Sequence, residues 1–200
     1  MKKFLAAIAV LVSVFSWLPA SGQQGVTQGD ALSIRKLAET KVAGLPQGEL
    51  YWRIENFGSL AEAQANAGSY GLAVEAAGKA WLFTLGPKAS RGKGRKVAEV
   101  GPITRVNASQ YLLRINEVTG KPGATTKPHT HPGSEAFYVL SGEKSVRGPH
   151  GTTKIQPGQP MAGLGAGEPM QATSTGSQDL HSLVMFVLDA DRPFSTPARF

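Results

Sequence analysis

Two histidines and a glutamate stand close together in Gly123-Ala-Thr-Thr-Lys-Pro-His129-Thr-His131-Pro-Gly-Ser-Glu135-Ala-Phe-Tyr-Val-Leu-Ser-Gly142. Residues two apart on a strand point to one face, so His129 and His131 can aim both imidazoles at the same point. Pro132-Gly133-Ser134 reads as a turn. Glu135 then opens the next strand, where its carboxylate can complete a three-cornered donor set. Two imidazoles and one carboxylate on one face of a metal leave positions open for a substrate and oxygen.

Short strands must position this set. Leu72–Ala76 and Ala80–Leu85 read as a hairpin turning at Ala77-Gly78-Lys79. Further strands are expected at 97–100, 110–116, 136–141, 152–155, 170–173 and 181–188. Such a series, punctuated by 24 Gly and 13 Pro, points to an all-β sandwich or barrel. Two short helices are expected before it. One covers 31–42, with Leu32, Ile34, Leu37, Ala38 and Val42 on one face and Asp30 as its cap. The other covers 59–67, capped by Ser59 and stopped by Gly68. The chain shows no internal repeat and no second histidine motif, so one barrel over 49–200 is expected, with 23–48 as a lead-in carrying the first helix.

The start of the chain reads as an export signal over 1–22. Lys2 and Lys3 precede an apolar run from Phe4 to Leu18, and Pro19-Ala20-Ser21-Gly22 offers small residues for cleavage before Gln23. The run is short for a membrane span. A periplasmic or secreted bacterial protein, free of the membrane after cleavage, is therefore expected. The chain has no cysteine, which excludes disulfides, cysteine–zinc sites and a thiol nucleophile. Its net charge of +7 falls to about +5 without Lys2 and Lys3. Much of the excess lies in Lys88-Ala-Ser-Arg91-Gly-Lys93-Gly-Arg95-Lys96, which lacks the interleaved aromatics that stack on bases. It reads as a solvated loop, with no nucleic acid as partner.

The stretch from Gly123 to Gly142 resembles the first signature of the cupin superfamily: Gly, five residues, His-X-His, three residues, Glu, six residues, Gly. The resemblance implies a jelly-roll-like antiparallel β-barrel in which His129, His131 and Glu135 bind a metal. It also implies a homodimer through barrel edges. The family's second signature matches at Gly158 and Gly167, but Met170 stands where the family places a fourth, histidine ligand.

Met170 allows three readings. It ligates through sulfur and favours copper over manganese, it only walls a two-His-one-carboxylate site suited to iron, or the site binds no metal. Iron is the preferred divalent transition metal, with copper and manganese as alternatives. Arg114 and Tyr138 are candidate contacts to a small-molecule substrate, although an outward-facing Arg114 and a core Tyr138 fit strand alternation as well. His150 reads as a solvated turn residue. His181 reads as a strand-end surface residue, able to replace the missing ligand only if it faces inward.

The resemblance implies several activities, and fold alone does not choose among them. The leading expectation is a metal-dependent oxidoreductase of the dioxygenase kind. The alternatives are a non-catalytic ligand- or metal-binding cupin, and a metal-assisted lyase or isomerase.

Overall fold

The structure is a computed structural model that describes residues 30–200. The expected export signal lies outside the described residues. Among the described residues no helix is long and apolar enough to cross a membrane.

In chain order the elements are β1 (Ser33–Val42), β2 (Leu50–Phe57), α1 (Leu60–Ala65), β3 (Gly71–Ala76), β4 (Lys79–Gly86), β5 (Arg95–Ile103), β6 (Tyr111–Gly120) and β7 (His129–Thr130). They continue with β8 (Gly133–Ser141), β9 (Lys144–Gly148), β10 (Gly151–Ile155), β11 (Pro160–Ala162), β12 (Gln171–Ser174), β13 (Leu180–Asp189) and β14 (Thr196–Pro197). The central sheet runs β1-β6-β13-β8-β11. A four-stranded sheet runs β3-β4-β2-β5, a three-stranded one β10-β9-β12, and β14 pairs with β7. The strand pairings are antiparallel throughout.

The central sheet is covered on both faces, which its sequence explains. β13 carries the nearly continuous apolar run Leu183-Val-Met-Phe-Val-Leu188, the pattern of a strand with two buried faces. Leu183, Met185 and Val187 pack with Trp52, Phe83 and Leu113 in a core shared with the four-stranded sheet. Val184, Phe186 and Leu188 point the other way, into a second core with Phe137, Val146 and Met170. The motif's glutamate belongs to this second side.

Several expectations agree with the fold. The β3–β4 hairpin turns at Ala77 and Gly78, both with positive φ (50° and 67°), as a tight primed turn requires. Ser59 caps α1 by accepting the Glu62 N–H at 3.1 Å. The helix closes on Asn66, ahead of the expected stop at Gly68. Gly142 ends β8 with φ 71°, and a Cβ there would sit 2.7 Å from the Asp179 carbonyl oxygen, so both conformation and space call for glycine.

One expectation fails. Residues 31–42 do not form a helix, and Asp30 caps nothing. Residues 33–42 are β1, paired with β6 from Ser33↔Thr119 to Val42↔Tyr111. The register shifts between Lys36 and Ala38, which marks a bulge at Leu37. The bulge lets Leu37 and Ala38, neighbours in sequence, both pack on the first core. That breaks the two-residue alternation and imitates helical spacing. β1 is also the outer strand of the central sheet, so the sheets begin at Ser33 rather than after residue 48.

Candidate metal centre

The backbone brings the motif and Met170 together. His129 starts β7, and its N–H and C=O exchange hydrogen bonds with the C=O and N–H of Met170 at 2.9 and 2.8 Å. β14 holds the other edge of β7, pairing Pro197 with His129. β8 places Glu135 opposite Phe186 of β13. Gly163, just after β11, donates its N–H to the Glu135 carbonyl at 2.8 Å. A Cβ at Gly163 would come within 2.7 Å of Glu135 Cγ and of the Phe137 ring, so glycine lets this segment close over the carboxylate.

His129, His131, Glu135 and Met170 all line one cavity of about 300 Å³. Its walls include Val118, Phe137, Ala172, Val184 and Phe194. The two imidazoles stand edge to face with centroids 4.9 Å apart. His129 Nδ1 lies 2.8 Å from the Lys127 carbonyl oxygen, and His131 Nδ1 lies 2.6 Å from that of Phe194. A carbonyl only accepts, so each Nδ1 carries a proton, which in the neutral ring leaves the lone pair on Nε2. This is the tautomer a metal ligand needs, oriented by backbone oxygens.

Electrostatics agree with neutral imidazole at His131. Burial pushes its pKa down to about 4, and the Phe194 carbonyl offsets only part of that. Glu135 is 3% exposed, and its Oε1 has no hydrogen-bond partner among the described residues. Burial raises its pKa, with nearby Lys144 opposing.

The donor chemistry therefore suits a divalent metal: two lone-pair nitrogens and an orphaned buried carboxylate oxygen facing one cavity. The side chains are not drawn into a finished cage. Among the described residues no three His, Cys, Asp or Glu are gathered tightly enough to hold an ion as they stand.

The other residues singled out in the sequence lie elsewhere. Arg114 donates from Nε to Asn116 Oδ1 at 2.8 Å, stacks 4.1 Å over the Phe194 ring and lies 3.7 Å from Glu39, and it is not a cavity wall. Tyr138 points into the first core, edge-on to Trp81 at 6.2 Å. Alternation from Glu135 explains this: Phe137 shares the inner face and Tyr138 the outer. His181 Nε2 lies 2.8 Å from Glu117 Oε1 and does not line the cavity. His150 is exposed in the β9–β10 turn.

Two cavity residues escaped sequence reasoning. Phe194 orients His131 through its carbonyl and packs against its ring at 4.9 Å, a contact across 63 residues with no local signature. Lys144 lines the cavity at 2% exposure. Its only sequence signal was its place two residues before the inward Val146.

The low pKa of His131 has a measurable consequence in metal-free protein. The unfolded chain takes up this proton near the ordinary value of 6.5 and the folded one only near 4, so stability present above 6.5 is lost as pH falls towards 4. Between pH 7.5 and 4.5, chelator-treated wild type should lose about 2.5 kcal/mol more than His131→Phe, read by denaturant titration. Equal losses in the two proteins would contradict this.

Residues 116–186 match the family model described as a cupin domain. No curated protein matches the chain. Among solved structures, the polyketide cyclase RemF from Streptomyces resistomycificus is similar at 24% identity and TM-score 0.37, over 44% of this chain and 61% of that one. The DMSP lyase DddQ from Ruegeria pomeroyi is similar at 24% identity and TM-score 0.37, over 43% of each chain. A cupin-like protein from Thermotoga maritima is similar at 15% identity and TM-score 0.39, over 43% of this chain and 64% of that one. The chain thus spans less than two thirds of each of these proteins. The match to the cupin domain model thus falls on the segment that runs from β6 to β13, the one that carries His129, His131, Glu135 and Met170.

Proposed function

We propose that the protein is an exported, metal-dependent cupin enzyme that oxidises a small molecule in its cavity, in the manner of a dioxygenase. The observation that carries this reading is the donor set: two imidazoles whose Nδ1–H groups are committed to backbone carbonyls, facing the same cavity as the orphaned Oε1 of Glu135. His129, His131 and Glu135 would hold the metal, and a two-His-one-carboxylate set suits iron(II). Bound iron would supply Lewis acidity and a one-electron redox centre.

The chain's own residues have separable tasks. The Lys127 and Phe194 carbonyls hold the two rings in orientation. Phe137, Val184 and Phe194 keep water from the reacting ligand. Met170 packs as a wall, 3% exposed within the second core. The apolar run at 4–18 supports export to the periplasm.

The test is oxygen uptake by iron-loaded protein with a panel of phenols, enols and diketones. Uptake that depends on one of them, and is lost in His129→Ala, is the expected result. Stoichiometric iron without oxygen uptake on any of them would overturn the enzyme reading. The position of Met170 beside His129 favours one alternative, a copper-binding protein. High-affinity copper(I) binding that is lost in Met170→Ala would support it.

A further inference from the structure

We propose that the cavity takes a small carboxylic acid with an apolar body, and that Lys144 receives its carboxylate. The inference rests on the reading of this cavity as the working site, and it deepens that reading by naming the class of ligand.

Lys144 opens β9 and is 2% exposed, a depth at which lysine is rare unless paired. It has no ion-pair partner within 4.0 Å and no hydrogen-bond acceptor among the described residues. Its ammonium lies 4.2 Å from the centroid of the Phe137 ring. A ring face attracts the cation but leaves its three N–H donors without oxygen acceptors. Other basic residues of this region are engaged or outside. Lys154 pairs with Glu143 at 3.1 Å, Arg147 stacks over Phe200 at 4.1 Å, and Lys127 is exposed at the cavity rim. Lys144 is therefore the buried cation presented to the cavity.

Charge balance points to an anion. Glu135 is the one carboxylate among the cavity walls. A single glutamate facing both Lys144 and a divalent cation leaves about two positive charges uncompensated in an apolar space, which is costly. A carboxylate entering beside Lys144 reduces that excess and supplies acceptors for its N–H groups. The walls indicate the rest of the ligand. Val118, Phe137 and Val184 favour an apolar body, and about 300 Å³ limits it to roughly a single ring, at the small end of ligand cavities.

The probes are phenylacetate and its neutral near-isostere phenylacetamide. They are titrated calorimetrically into the full mature protein, both as purified and after chelation. Wild type is expected to bind the acid at least ten-fold more tightly than the amide in both states. In Lys144→Met the two should bind within two-fold of each other, and Lys144→Arg should keep a preference for the acid. A wild type that binds both alike, or an acid preference that survives in Lys144→Met, would overturn the proposal and leave Lys144 as a counter-ion to Glu135. Should Lys144→Met fail to fold, the lysine Cε resonances of wild type serve instead. Phenylacetate, and not phenylacetamide, should shift the resonance that is missing in Lys144→Arg, and no shift would overturn the proposal. An acid preference with no oxygen uptake would refute the enzyme reading alone. Oxygen uptake with neutral substrates and no acid preference would refute this inference alone.

Discussion

Glu135→Gln is expected to weaken divalent metal binding by at least about 10³-fold. Loss of a ligand should exceed the 10- to 100-fold cost of losing a group that merely orients one. Glu135 is the carboxylate of the cavity walls, and its orphaned Oε1 has nothing else to bind among the described residues. The amide keeps the side chain's shape against Gly163 and Phe137 but supplies a neutral, weaker donor. The fold should survive, which circular dichroism would show. The affinity is read by competition with a chelator of known strength. A variant that binds metal as tightly as wild type would remove Glu135 from the ligand set.

The second large effect separates the two faces of the central sheet. Leu183→Ala should cost about 2–5 kcal/mol, the range for emptying a fully buried leucine site. Leu183 is 0% exposed in the core shared with the four-stranded sheet. Its neighbour Val184 is a wall of the cavity on the opposite face. Metal affinity measured well below the unfolding transition should therefore stay within two-fold of wild type in Leu183→Ala. Stability is read by urea titration, and affinity by the same chelator competition. Loss of stability by less than about 1 kcal/mol, or a matching fall in metal affinity, would contradict the two-faced packing.

Much of this architecture can be read from the residues, and the failures have physical causes. β8 and β13 declare themselves because a strand buried on both faces needs an unbroken apolar run. His129, His131 and Glu135 stand out because metal chemistry restricts both residue type and spacing. β1 hid behind its bulge, since two adjacent apolar residues on one side look helical. Tyr138 stayed open between a substrate contact and a core residue, although the parity set by Glu135 decides for the core. Three strands of the four-stranded sheet behind the barrel were visible, but β2 was not, and neither was the second layer, because strand patterns do not say which faces meet. Lys144 drew no attention in the sequence, because most lysines are exposed. The Phe194 carbonyl left no trace at all, because a backbone oxygen has no side-chain signature.

The central proposal is that His129, His131 and Glu135 hold a metal in the cavity lined by β6, β8 and β13. Elemental analysis of the purified mature protein tests it most directly. About one equivalent of iron, copper or manganese per chain is expected, retained through gel filtration and absent from the His129→Ala, His131→Ala double variant. A wild-type protein that carries no metal, and takes up none from a solution of these ions, would contradict it.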